Sequence, residues 1–190
     1  MKKIKLLAIS GSLRKASYNT AVLNTLAEIS PEHIEIMIAD ISELPLFNPD
    51  RETESIPALE NIKAALKHAS GLIISSPEYA HGISGPMKNA LDWLVSGSEF
   101  VDLPIMLINT SPRAQHALDA LKEVLITMSG VIVDKASVAI PLLGTVLNTK
   151  CDKTSNELVY IAENEVHYEM LTNALNAFYD EISNHGVDVT

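Results

Sequence analysis

Apolar residues fall along this chain in two alternating arrangements. Short continuous runs suit strands buried on both faces, and stretches with apolar positions three and four apart suit helices that bury one stripe. Residues 4–9 form the first continuous run. A helix is predicted over about 19–29, with Val22, Leu23, Leu26 and Ile29 on one side. Residues 33–39 read as a second strand, and Leu59, Ile62, Leu66 and Ala69 mark a second helix. A third strand is expected at 71–76, then a helix at 86–94 with proline in its first turn. Residues 104–109 supply the fourth strand, followed by a helix carrying Leu118, Leu121, Leu125 and Met128. The fifth strand is expected at 131–140, bent at Asp134-Lys135, and a last helix carries Val166, Met170, Ala174, Phe178 and Ile182.

Strands separated by helices imply a parallel sheet with right-handed crossovers and helices on both faces. The predicted class is therefore α/β, a doubly wound three-layer α/β/α sandwich on a five-stranded parallel sheet. No repeat, linker or low-complexity tract interrupts it, so residues 1–190 are expected to form a single domain. Residues 40–55 make a long loop of the kind that serves as a lid or an interface piece. Residues 142–163 are mixed in composition and carry no assignment.

A composition of 47% hydrophobic and 20% charged residues leaves this picture unchanged. Charge sharpens it: 24 acidic against 14 basic residues give −10, which argues against a nucleic-acid surface. Any bound phosphate must then be held by local donors against the global field. The one cysteine, Cys151, excludes an internal disulfide and a multi-thiolate metal site, and no metal site is expected. Lysines on either side favour its thiolate, but no catalytic partner is evident and it reads as incidental. The basic start Met1-Lys2-Lys3 precedes an apolar stretch too short for export, and no run reaches membrane-spanning length. A cytoplasmic protein without membrane partners is expected.

In a doubly wound sheet, ligands sit beyond the carboxyl ends of the strands at the topological switch point. The loop after the first strand, Ser10-Gly11-Ser12-Leu13-Arg14-Lys15-Ala16-Ser17-Tyr18-Asn19, is rich in hydroxyls, holds an arginine and runs into a helix. Backbone N–H groups, Ser12, Ser17 and Arg14 suit a dianionic phosphate. The alternative is a plain N-cap at Ser17 or Asn19 with Arg14 as a solvated charge. The pattern is neither a Walker loop nor the three-glycine dinucleotide fingerprint. After the third strand, Ser76-Pro77-Glu78-Tyr79-Ala80-His81-Gly82 leads through Ile83-Ser84-Gly85-Pro86 into the next helix. Proline and glycines around an aromatic residue make a stiff loop whose amides suit the heteroatom edge of a flat ring. An ordinary strand-to-helix turn, with His81 a simple loop histidine, is the competing reading.

Three stretches resemble the NADPH-dependent FMN reductases and their quinone, azo-dye and chromate reductase relatives. They are Gly11-Ser12-Leu13-Arg14 with Ser17 and Asn19, Leu44-Pro45-Leu46-Phe47-Asn48, and Ser76-Pro77-Glu78-Tyr79 through Lys88-Asn89-Ala90-Leu91-Asp92-Trp93. The resemblance implies a flavodoxin-like fold that binds FMN, with NADPH or NADH as co-substrate and a small-molecule electron acceptor. It implies that Ser10, Ser12, Arg14, Ser17 and Asn19 hold the FMN phosphate, and that Pro77, Glu78, Tyr79 and Gly82 line the isoalloxazine. Ala80 stands where many relatives have asparagine. Asn109-Thr110-Ser111-Pro112-Arg113 replaces their glycine-rich turn, with Ser111 reaching the flavin. The flavin would carry the redox chemistry in a ping-pong cycle, so no catalytic side chain is assigned. The rivals are a flavodoxin-like electron carrier and a flavin-binding regulatory module without turnover. Members of the family assemble, so a homodimer or homotetramer is expected, with residues 40–55 and helix 86–94 at its interface. For that helix, an internal Lys88–Asp92 pair with Trp93 buried in its own domain is the competing reading.

Overall fold

A computed structural model describes residues 2–142 and 161–184. Strand β1 (Ile4–Ser10) exposes only Lys5, and helix α1 (Tyr18–Ile29) follows it. Next come β2 (Ile34–Ala39), a single 3₁₀ turn at Pro49–Arg51 and α2 (Pro57–Lys67). Strand β3 (Gly71–Ser75) is buried throughout. Two short strands, β4 (Glu78–Tyr79) and β5 (Gly82–Ile83), pair as an antiparallel hairpin before α3 (Gly85–Leu94). Strand β6 (Pro104–Asn109), α4 (Gln115–Thr127), β7 (Val131–Ile132), β8 (Val138–Ala139) and α5 (Glu165–Asn184) complete the described chain.

The main sheet runs β2-β1-β3-β6-β7, with β8 also pairing β6, and every pairing in it is parallel. Parallel neighbours need crossovers, and the helices supply them on both faces. Leu6, Ala8, Ile73 and Met106 point to one face, where α1 and α5 cover them. Leu7, Ile9, Leu72 and Ile74 point to the other, under α2, α3 and α4. Alternate side chains of one strand thus enter separate cores, which is why these strands read as unbroken apolar runs. Gly71 opens β3 because α5 lies directly on it: a Cβ there would come within 2.8 Å of the Phe178 ring.

The expected fifth strand at 131–140 is two short pieces flanking the Asp134-Lys135 bend. Asp134 reaches Lys122 of α4 at 3.0 Å and Lys135 pairs with Glu181 of α5, so the bend is drawn out between the two helical layers. Across the gap the Ser137 hydroxyl accepts the Leu107 N–H at 3.1 Å and donates to the Val133 carbonyl. A side chain thereby replaces a rung of the ladder. Three smaller expectations also need correction. Val166 is 63% exposed rather than on the buried stripe of α5. Helix α2 stops at Lys67, although Ala69 still packs on the core. The loop expected after the third strand holds the β4–β5 hairpin. Cys151 and most of 142–163 lie outside the described residues.

Residues 40–55 are fastened to α3. Asn89 accepts the Phe47 N–H through Oδ1 at 2.8 Å and donates Nδ2 to the Pro45 carbonyl at 3.0 Å. The Trp93 indole N–H donates to the same carbonyl at 2.7 Å, and the Phe47 ring meets Trp93 edge-on at 5.1 Å. Trp93 is 1% exposed, so it is buried within its own chain, and Lys88 pairs with Asp92 along α3. At the start of the loop, Ser42 donates its N–H to Asp40, which holds that carboxyl below its ordinary range. No described helix is long and apolar enough to cross a membrane.

Candidate functional site

β1, β3 and β6 are neighbours in that order, so the loops beyond their carboxyl ends stand side by side. The first two loops are locked together at Gly11. A Cβ there would lie 2.2 Å from the Ser76 hydroxyl, an approach only glycine permits. The Gly11 N–H donates to the Ser75 carbonyl at 2.8 Å, and the Gly11 carbonyl accepts from Ser84 at 2.6 Å. Ser84 is also the N-cap of α3, accepting the Met87 N–H, so one hydroxyl starts a helix and ties down a loop.

Within the first loop, Ser10 is buried and its hydroxyl meets Thr20 of α1 at 2.8 Å. Ser12 accepts the Arg14 backbone N–H at 3.4 Å. Ser17 is the N-cap of α1, accepting the Thr20 N–H at 3.3 Å. Asn19 is buried, and its Oδ1 meets the hydroxyls of Ser75 at 2.9 Å and Thr110 at 3.1 Å, tying α1 to the ends of β3 and β6. With Oδ1 so engaged, the group Asn19 has left to offer an anion is its amide Nδ2.

The second loop is a tight hairpin whose two central residues, Ala80 (φ 50°) and His81 (φ 60°), are left-handed. Two such residues between paired strands are the signature of a type I′ turn, where asparagine and glycine are favoured. Tyr79, 56% exposed, is set beside the opening by this turn. Glu78 accepts the Ala117 N–H through Oε2 at 2.9 Å and faces His81 through Oε1 at 3.2 Å. The N-cap position of α4 is Ala114, which has no side chain to cap with, so Glu78 satisfies that helix start from 39 residues away. The His81 ring stands edge-on to His116 at 4.7 Å.

The third loop is braced internally. Asn109 Oδ1 accepts the Ser111 N–H at 3.0 Å, Ser111 Oγ accepts the Arg113 N–H at 3.2 Å, and the Ala114 N–H closes onto the Ser111 carbonyl at 3.1 Å. These three loops enclose a cleft of about 300 Å³. Arg14, Ser17 and Asn19 line it from the first loop, Pro77, Glu78 and Tyr79 from the second, and Ser111 from the third. Four other residues singled out in the sequence do not line it. Ser10 is turned onto Thr20 and Ser12 onto the Arg14 backbone, while Ala80 and Gly82 shape the hairpin. Sequence reasoning missed Asn109, Thr110 and Arg113, which also line the cleft. The signal that drew attention to Arg14, an arginine between a strand end and a helix start, was present at Arg113 as well.

The donor set fits a flavin mononucleotide. One end of the cleft offers a guanidinium, hydroxyls and the start of α1 to a phosphate. The other offers a tight hairpin and an exposed tyrosine to a ring. Comparison with known proteins agrees. The family profile described as NADPH-dependent FMN reductase matches residues 4–143. A quinone reductase of Escherichia coli K12 is 30% identical over 190 residues, covering 93% of this chain and 94% of that protein. Among solved structures, the flavoenzyme NAD(P)H:(acceptor) oxidoreductase FerB of Paracoccus denitrificans superposes with a TM-score of 0.81. Its identity is 24%, over 97% of this chain and all of that one. A WrbA-like flavodoxin from Agrobacterium tumefaciens gives 0.54 at 15% identity, over 97% and 100% of the two chains. The last two likenesses establish the flavodoxin-like fold.

Proposed function

The chain belongs to the NADPH-dependent FMN reductase family, and from that membership we propose that it passes electrons from NAD(P)H through FMN to a quinone by a ping-pong cycle. The observation that carries the reading is the convergence of Arg14, Ser17, Asn19 and Tyr79 on one cleft at adjacent strand ends. A quinone is the preferred acceptor because the full-length relative of 30% identity is a quinone reductase. Free flavin, azo compounds and metal oxyanions are secondary candidates.

When bound, FMN supplies the hydride and electron chemistry. The protein's part is to hold and orient it. Arg14 and the start of α1, capped by Ser17, take the phosphate, and the Asn19 amide adds a donor beside them. The β4–β5 hairpin lies along the ring, the Ser111 loop, its own amides engaged internally, walls the cleft, and Tyr79 flanks the open side. No acidic or basic side chain is needed to move a proton at the ring, and none is assigned. One side of the cleft is open, so donor and acceptor take turns there.

The same reading proposes a homodimer or homotetramer. Trp93 is spent inside its own chain, but Leu46, 83% exposed on the loop fastened to α3, is among the apolar side chains a second copy would cover. Absorbance spectra of the protein with added FMN, before and after anaerobic NADPH, test the central claim. Bound flavin should bleach on reduction and recover with a naphthoquinone. Steady-state plots at several quinone concentrations should give parallel lines. Intersecting lines would exclude the ping-pong order, and a flavin that NADPH leaves oxidised would favour an electron carrier.

A further inference from the structure

The chain has three arginines, at positions 14, 51 and 113. Arg51 pairs with Glu54 at 2.8 Å. The other two both line the cleft, and among the described residues neither guanidinium forms an ion pair. In a chain carrying 24 acidic residues and a net charge of −10, two of three arginines kept unpaired at one opening create a local field opposite to the molecule's own. Glu78, the acidic residue of the cleft wall, offsets one of the two positive charges, and its oxygens are engaged by the Ala117 N–H and His81 rather than by either arginine.

On the FMN reading above, Arg14 belongs to the flavin phosphate, since its loop runs into α1. Arg113 comes from a different loop. β3 lies between β1 and β6, so the bases of the two loops are about 10 Å apart, which suits two anionic groups rather than one. The backbone under Arg113 is held by the three hydrogen bonds around Ser111, and Pro112 restricts it further. A braced turn carrying an unpaired guanidinium is suited to two-pronged recognition of phosphate.

We infer that Arg113 recognises a phosphate of the nicotinamide nucleotide that reduces the flavin, and so sets nucleotide affinity apart from flavin affinity. The inference rests on the FMN reading and adds a residue to it. Either the diphosphate common to both nucleotides or the 2′-phosphate of NADPH offers the required oxygens.

The test uses FMN-loaded protein titrated with NADP⁺ and NAD⁺ by calorimetry, with FMN affinity measured separately by fluorescence quenching. Arg113→Ala should weaken nucleotide binding roughly tenfold or more, the loss expected for one charge-assisted pair. FMN affinity should stay within about twofold of wild type, well below that loss. Arg113→Lys should recover part of the binding. A larger loss for NADP⁺ assigns the contact to the 2′-phosphate, and equal losses assign it to the diphosphate. Unchanged nucleotide affinity, or FMN affinity falling in step with it, overturns the inference. Wild-type protein that takes up no FMN in the first titration overturns the cofactor reading and this inference with it.

Discussion

Truncating Arg14 removes a guanidinium from the phosphate end of the cleft and leaves the ring-facing loops alone. Arg14→Ala is expected to raise the FMN dissociation constant roughly tenfold to a hundredfold, about 1.5–3 kcal/mol, while riboflavin affinity changes little. Fluorescence titration of both ligands checks this, and equal losses would move Arg14 away from the phosphate. Ala80 poses a different question. At a φ of 50° it holds a conformation that costs an alanine about 1–2 kcal/mol and that asparagine tolerates better. Ala80→Asn should therefore stabilise the protein by about 0.5–1 kcal/mol, or roughly 1–4 °C in Tm for a chain of this size. Ala80→Gly should gain less, because glycine also loosens the unfolded chain. Thermal unfolding of the three proteins measures the effect. A rise in FMN affinity in the asparagine variant alone would locate a side-chain contact to the ring instead of a backbone effect.

Between elements, the decisive contact is the one that joins two stretches distant in sequence, 44–48 and 88–93, through Asn89 and Trp93. Asn89→Ala leaves the Phe47 N–H without its acceptor in a part-buried position and should cost about 1–3 kcal/mol. Urea unfolding should show a lower midpoint at an unchanged slope. Strands β1 and β6 were legible within a residue because burial on both faces leaves an unmistakable apolar run. The 131–140 run was legible as strand with a bend, but not as two separate pieces. Its two ends are apolar and the bend at Asp134-Lys135 was expected, but the Ser137 hydroxyl that replaces a rung looks like any other loop serine. The β4–β5 hairpin is too short to show alternation. At the cleft, Arg14, Ser17, Asn19 and Tyr79 were legible because the parallel topology sends their loops to one end. The bond from Glu78 to the Ala117 N–H was not legible, since nothing near Glu78 in sequence announces that partner. Arg113 was passed over because a charge next to proline resembles ordinary surface.

For the molecule as a whole, a ligand that binds only the folded state adds to stability by mass action. FMN at a hundred times its dissociation constant should contribute about 2.7 kcal/mol, roughly 5–11 °C in Tm. FAD should give a clearly smaller shift, because the phosphate loop closes directly onto α1 and leaves little room for an adenylate. Equal shifts in a thermal scan would argue for a longer, open-ended phosphate site. The two margins of the sheet differ in a way that bears on handling the protein. One is the continuous six-residue β2, and the other is the pair of two-residue pieces β7 and β8 around the bend. An uninterrupted ten-residue strand there would present a straight row of free amides and carbonyls, the surface on which strands of other molecules add. Because the bend breaks that row, crowded chains at high concentration have one fewer template along which to zip into fibres.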